Sequence, residues 1–182
     1  MLSLIYRNQT VTVIVLCVLL TGCATNITQP SGPPMPSKIK FSEFGRVEMK
    51  AVSISERFAE SEVNRKAAQN LTEKLVKELQ VVFPTLKQVA EFSKGNERAL
   101  QIDPLIKDIK FIGVGARVMA GAMAGSSAIL LQVSFRDSTA NEVIANPEFY
   151  AVGGAWTGGF DSAYKMLQDI ANDVAKYSAL NR

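Results

Sequence analysis

The side chains of this chain leave few options for chemistry. The sequence holds 17 Asp and Glu residues, two cysteines and no histidine. Cys/His metal sites, and serine or cysteine nucleophiles activated by histidine, are therefore excluded. Cys17 lies inside an apolar run, whereas Cys23 directly follows Leu20, Thr21 and Gly22. The remaining chemistry is that of the carboxylates and of a group attached to Cys23.

Three sets of carboxylates have a spacing that would allow general acid and base catalysis. They are Asp103 with Asp108, Asp137 with Glu142, and Asp161 with Asp169 and Asp173. Each set falls at a predicted strand end, turn or exposed helix face, where solvated carboxylates are usual. We therefore expect no enzyme activity, no metal and no other cofactor. A carboxylate enzyme or small-ligand binder is the alternative, and it requires a pocket lined by acids.

The N-terminal segment has the layout of a secretory signal. Arg7 precedes an apolar run at residues 11–20, and small residues then lead to Cys23. The run is shorter than the roughly 20 apolar residues that a transmembrane helix needs. No A-x-A-like exit precedes a plausible cleavage position, which disfavours an ordinary signal peptide. The sequence Leu20-Thr21-Gly22-Cys23 resembles the lipobox of bacterial lipoproteins, with leucine three positions before the cysteine.

The resemblance to a lipobox implies that residues 1–22 are a signal peptide and that Cys23 is the first mature residue. It also implies a diacylglyceryl thioether on Cys23 and a fatty acyl group, such as palmitate, on its amino nitrogen. Two or more acyl chains make a stable membrane anchor. In such lipoproteins an Asp after the cysteine retains the protein in the inner membrane. Ala24 stands there instead, which implies the outer membrane, with the domain facing the periplasm.

The charge of the chain gives no support for nucleic acid as a partner. The formal net charge is +3, and Arg7 is the only charged residue of the segment 1–22, so the mature protein is close to neutral. The sequence contains no cluster of basic residues with interleaved aromatics. We expect two partners, the membrane through the lipid anchor and an envelope protein of unknown identity.

Residues 23–38 predict a flexible, proline-rich tether. Four of these residues are proline, namely Pro30, Pro33, Pro34 and Pro36. An irregular strap that packs on the domain is the alternative. Residues 39–182 are long enough for one domain with its own core.

Hydrophobic periodicity predicts an α+β fold with the order β-α-β-β-β-β-α. Alternation predicts strands at residues 46–53, 87–92, 99–111, 128–136 and 142–152, and three-to-four spacing predicts helices at 63–79 and 163–177. Hairpins that follow a single crossover imply a two-layer sandwich, with a mixed, mostly antiparallel sheet and both helices on one face. The strand 99–111 changes phase at Asp103-Pro104, where a proline suits a bulge or an edge. Pro147 indicates an edge strand.

Two glycine-flanked apolar segments are candidates for a contact surface. The first contains Val118, Met119 and Met123, and the second presents Trp156 between two glycine pairs. An exposed tryptophan could anchor a partner. Core packing is the alternative for both segments.

Three short motifs carry a resemblance to a family of bacterial lipoproteins known only as a domain of unknown function. They are Ala99-Leu100, the run from Arg117 through Gly121 to Ala124-Gly125-Ser126, and Phe135-Arg136-Asp137. The resemblance covers about residues 46–180. It departs from the family at Ala140-Asn141, where a glycine is common, although asparagine also tolerates positive φ. The family has no agreed activity, so the resemblance implies fold and location but no catalytic residue.

Three functions remain, and the first is favoured. It is a membrane-anchored envelope lipoprotein that acts as a non-catalytic scaffold or accessory subunit through protein contacts. The second is a membrane-active or oligomer-forming lipoprotein that uses the Gly/Ala/Met segment, which is the apolar segment around Met119 and Met123. The third is the carboxylate enzyme or small-ligand binder.

Overall fold

The fold is described by a computed structural model that covers residues 27–93, 97–111, 126–153 and 160–182, with side chains of the last range from residue 163 onward. Within these residues the chain forms an open, mixed sheet and three helices. The predicted α+β class is confirmed. The lipobox, which comprises Leu20, Thr21, Gly22 and Cys23, lies outside the described residues.

The strands follow the predicted alternation of apolar and polar residues. They are β1 (Arg46–Lys50), β2 (Ser53–Ile54), β3 (Leu86–Val89), β4 (Ala99–Lys110), β5 (Ser127–Asp137), β6 (Glu142–Ala145) and β7 (Glu148–Gly153). The sheet order is β3-β1-β4-β5-β6, with β2 continuing β1 beside β4 and β7 continuing β6 beside β5. β1 is parallel to β3 and β4, whereas β5 is antiparallel to β4, β6 and β7. Taken together, the antiparallel pairings join more residue pairs than the parallel ones, so the sheet is mostly antiparallel.

Three helices cover one face of the sheet or its margin: α1 (Glu56–Ala59), α2 (Glu62–Val82) and α3 (Phe160–Leu180). Ser61 caps α2 by accepting a hydrogen bond from the backbone N–H of Asn64, and the helix ends before Pro84. The two long helices pack on each other and on the sheet. Their buried residues include Leu71, Leu75 and Leu79 of α2 and Met166, Ile170 and Val174 of α3. Val63, the first residue of the helix predicted at residues 63–79, is 59% exposed.

The chain between β3 and β4 does not form the hairpin that the sequence predicts. β1 lies between these two strands and is parallel to both. The described parts of the connection, residues 90–93 and 97–98, run along the sheet face opposite the helices. Three polar contacts hold them on β1: Lys50 with Glu91, Glu48 with Ser93, and Arg46 with Glu97. Because β3 and β4 both run parallel to β1, the chain must return along the sheet from the end of β3 to the start of β4.

Pro104 and Pro147 lie where the missing backbone N–H removes no hydrogen bond between strands. Pro104 is in the central strand β4, opposite the break between β1 and β2, and its carbonyl accepts from the Ser53 hydroxyl. The change of phase in β4 falls between Ile106 and Asp108, later than predicted. Pro147 separates β6 from β7 on an edge of the sheet, as predicted.

A cluster of aromatic rings joins the N-terminal part of the domain to the sheet and to α3. Phe41, in a short 3-10 turn, is 1% exposed. Its ring stacks on Phe135 with centroids 4.7 Å apart, and it lies within 6.3 Å of the rings of Phe83 and Tyr177. Stacked and edge-to-face pairs of this kind add to the stabilisation that comes from burial.

We predict that Phe41→Ala lowers the free energy of unfolding by about 3–5 kcal/mol, because it leaves a cavity in this cluster. Urea denaturation of the mature protein measures the change. Phe92→Ala is the matched control, since Phe92 is only half-buried beside Lys50 and its loss should cost less. Equal effects of the two substitutions would contradict the role given to Phe41.

Candidate functional site

We name residues 27–38 the strap. The C-terminal part of the strap, residues 35–38, is hydrogen bonded to the domain. The hydroxyl of Tyr177 donates to the carbonyl of Met35 at 2.9 Å. The backbone N–H of Ser37 donates to Asn181 Oδ1 at 2.7 Å, and that of Lys38 donates to the carbonyl of Ile144 at 3.0 Å. These contacts are the ones expected if the segment is an irregular strap that packs on the domain, which was the alternative to a flexible tether. Whether the segment is dispensable, as a tether would be, stays a prediction.

The strap runs beside the edge formed by β6 and β7, antiparallel to these strands. Near Lys38 it bonds to β6, and toward its N-terminus it lies opposite β7 and the C-terminal half of α3. Along β7 it makes no backbone hydrogen bond among the described residues. Pro30, Pro33 and Pro34 have no N–H to donate, so this part of the strap cannot continue the ladder.

A cleft of about 440 Å³ separates the strap from β7 and α3. The strap side consists of residues between Gln29 and Pro34, and the opposite wall includes Tyr150 of β7 and Tyr177 of α3. Two carboxylates line the cleft, Glu148 and Asp173. Because Glu148 pairs with the ammonium group of Lys107 at 2.6 Å, it is not free to act as a base.

Burial makes the phenol of Tyr177 an unusually weak acid. Its ring contacts those of Phe135 and Phe149, and the residue is 6% exposed. Burial raises the pKa of Tyr177 to about 12, because the phenolate would lose its hydration. The group is therefore a hydrogen-bond donor to the strap at physiological pH.

The outer edge of β7 carries unpaired main-chain groups. Val133 N–H donates to the carbonyl of Pro147, which fixes the pattern of the antiparallel ladder with β5. Phe149 and Ala151 then bond to β5, so the N–H and C=O groups of Glu148, Tyr150 and Val152 point outward. Among the described residues, no backbone or side-chain group bonds to these outward groups. The side chain of Val152 is on the face opposite the helices, and the residue is 46% exposed.

Asp137 is the most strongly held of the predicted carboxylates. Its burial acts to raise its pKa, but hydrogen bonds from Arg98 and from the backbone N–H groups of Thr139 and Ala140 outweigh this effect and hold the pKa below its ordinary value. The hydrogen bond to Asp137, together with Glu43, raises the pKa of Arg98. Asp137 therefore stays ionised and closes the turn after β5, which is a structural role.

The other predicted acid pairs are not brought together as free carboxylates. Asp103 is exposed on β4, and Asp108 bonds to Arg57 at 2.7 Å. Glu142 is the register partner of Asp137, but it pairs with Lys38 at 2.6 Å. In the third set, Asp169 pairs with Lys165 and Asp173 lines the cleft, whereas the side chain of Asp161 lies outside the described residues.

The strands that lead to the two apolar segments end side by side. Lys110 of β4 pairs with Ala128 of β5, and Ser127 of β5 pairs with Gly153 of β7. We name this the loop end of the sheet. The candidate contact residues Val118, Met119, Met123 and Trp156 lie outside the described residues, and their role stays a prediction.

No three residues of the His, Cys, Asp and Glu types are grouped so that they could hold a metal ion in the described part of the chain. None of the described helices combines the length and the apolar character that crossing a membrane requires.

No family model and no curated protein matches the chain. Similar solved structures exist, and one is a PelC dodecamer from Paraburkholderia phytofirmans, with 11% identity and a TM-score of 0.48 over 81% of this chain and 96% of that one. Another is a Xanthomonas campestris protein of the family DUF330, with 10% identity and a TM-score of 0.45 over 86% and 96%. A third is a minor lipoprotein from Acinetobacter baumannii, with 11% identity and a TM-score of 0.38 over 74% and 94%. The neighbours thus include a lipoprotein and a member of a family of unknown function, but similarities this low carry no functional argument.

We predict that removal of the strap exposes Tyr177 and lowers its pKa from about 12 toward the ordinary value near 10. A protein that starts at Ala24 is compared with one that starts at Lys38, by titration of phenolate absorbance. Tyr150→Phe and Tyr164→Phe in both proteins leave Tyr177 as the only mature tyrosine that titrates.

The same pair of proteins tests the stability that the strap provides. The shorter protein lacks the bonds of Met35 and Ser37, so its free energy of unfolding should fall by about 1–2 kcal/mol. Since burial favours the neutral phenol, its contribution to stability is present below about pH 10 and is lost as the pH rises through about 12. An unchanged Tyr177 titration in the shorter protein would show that residues 24–37 are a free tether.

Proposed function

We propose that this protein is a lipid-anchored protein of the bacterial envelope that acts through protein contacts and has no catalytic role. The observation that carries the proposal is Leu20-Thr21-Gly22-Cys23 after a short apolar run, the pattern that resembles a lipobox. Cys23 would carry the acyl chains, with the protein in the outer membrane and the domain in the periplasm. The minor lipoprotein among the structural neighbours is compatible with this proposal but adds no weight to it.

The position of the strap supports a structural role for the segment that follows the anchor. A lipid on Cys23 would lie twelve residues before Met35, the first described residue of the strap that is hydrogen bonded to the domain. Because the strap is hydrogen bonded to α3 and β6, the anchor would connect to one fixed side of the domain. A fixed attachment point suits a scaffold or accessory subunit, which must present a constant surface to its partner.

The ion pairs of the candidate carboxylates support a function through protein contacts and not through catalysis. Asp137, Asp108 and Glu142 are each occupied by a basic partner. The two apolar segments, by contrast, adjoin strand ends that meet at the loop end, since the first joins β4 to β5 and the second joins β7 to α3. These segments are the candidate contact surface.

We predict that Cys23→Ala abolishes fatty-acid labelling and releases the protein from membranes, because the thiol is the acceptor of the lipid. Radiolabelled palmitate and fractionation of the envelope measure both effects. Cys17→Ala is the matched control and should keep the label, since Cys17 lies within the segment that is removed. Retention of the label in the Cys23→Ala protein would overturn the lipoprotein assignment.

We predict that a photo-crosslinking residue at Trp156 or Met123 captures a specific envelope protein in intact cells. The same residue at Thr139, in the turn at the opposite end of the sheet, is the control and should capture less. Trp156→Ala should weaken the contact without loss of stability. A loss of about 3–5 kcal/mol in the free energy of unfolding would instead identify Trp156 as a core residue.

A further inference from the structure

We propose that the outer edge of β7 is a docking site for an extended peptide, which adds to the sheet as a strand within the cleft beside the strap. This site reaches the loop end at Val152, which pairs with Ala128, and it does not depend on the lipid anchor. The feature that points to it is the row of outward main-chain groups on Glu148, Tyr150 and Val152.

The unpaired groups of β7 match what an added strand requires. In an antiparallel ladder, every second residue bonds to the same neighbour, so residues 148, 150 and 152 would all bond to one new strand. Each of them offers one N–H donor and one C=O acceptor. A peptide that uses such an edge obtains affinity from main-chain bonds and selectivity from alternate side chains.

Within the described part of the chain, β7 lacks the usual protection of an edge strand. Proteins commonly block an edge with lysine, with proline inside the strand or with a covering segment. β7 has the sequence Glu-Phe-Tyr-Ala-Val-Gly, and Pro147 precedes the strand instead of interrupting it. The strap covers β6 by the bond from Lys38 to Ile144, but it stands off from β7 and leaves the cleft open.

The direction of the strap indicates that the edge formed by β6 and β7 accepts an antiparallel chain. It runs antiparallel to β6 and already donates one backbone hydrogen bond there. Its prolines then prevent further pairing, since Pro30, Pro33 and Pro34 provide no N–H. A peptide without proline has no such limit. The cleft volume of about 440 Å³ also falls within the range of ligand sites, about 300–1,000 Å³.

The side chains around the cleft define the kind of peptide that fits. On the face opposite the helices, the new strand would lie beside Tyr150 in the cleft and beside Val152 just beyond it, and both favour apolar or β-branched side chains. On the other face it would meet Asp173 and Lys176 of α3, which favour polar side chains. The ligand class is therefore an extended peptide with alternating apolar and polar residues.

The test uses a fluorescent seven-residue peptide, Thr-Val-Thr-Val-Thr-Val-Thr, and the mature protein in detergent. Fluorescence anisotropy measures binding of this probe and of a second probe that is N-methylated at alternate residues. We expect saturable binding of the first probe and at least about tenfold weaker binding of the second, because methylation removes the donors of one edge. Equal binding of the two probes, or no saturable binding of the first up to about 1 mM, would overturn the proposal.

Substitutions at Val152 locate the site on β7. Val152→Pro removes an outward N–H that takes no part in the ladder with β5, and it should weaken the first probe by about fivefold or more. Val152→Ala keeps the N–H and should change binding less than about twofold. Unequal urea midpoints of the two variants would reveal misfolding, and the methylated probe on the unaltered protein then still decides the question. Equal binding by both variants, with intact folding, would place the probe elsewhere and overturn the proposal.

Discussion

The long antiparallel pair of β4 and β5 is the part of the fold to which everything else attaches. It extends from Leu100 opposite Asp137 to Lys110 opposite Ala128. The parallel strands join β4, and the interrupted edge strand joins β5. Both helices cover the fully buried residues of this pair, which include Ile102 and Val133. The cleft and the loop end therefore share one support, and a substitution in this pair would disturb both.

Much of the architecture could be predicted because its signals are local. The three-to-four spacing of Leu71, Leu75 and Leu79 is a property of one helix, and the alternation from Ile129 to Phe135 is a property of one strand. Pro147 likewise revealed an edge through its own missing donor. The class of fold and the sidedness of the helices follow from these signals together.

The remaining features depend on partners that are remote in sequence. Glu48 alternates like a solvent-facing residue, but it is 3% exposed because Ser93 returns over β1 and bonds to its carboxylate. Composition predicted a tether at residues 23–38, and composition alone does not reveal that Asn181 offers an acceptor to Ser37. The order of β3, β1 and β4 is hidden for the same reason, since periodicity does not specify which strands are neighbours.

In a protein anchored at Cys23, the bonds of the strap also set a length scale. An extended chain spans at most about 3.5 Å per residue, so a strap that is held from Met35 onward leaves about 42 Å between the lipid and the first described bond to the domain. If the strap were released as far as Lys38, the limit would rise to about 50 Å. The volume that the domain can explore grows roughly with the cube of this reach, and its effective concentration toward any membrane-bound partner falls accordingly. Loss of the hydrogen bonds at Tyr177 and Asn181 would thus dilute the domain at the membrane surface by roughly twofold.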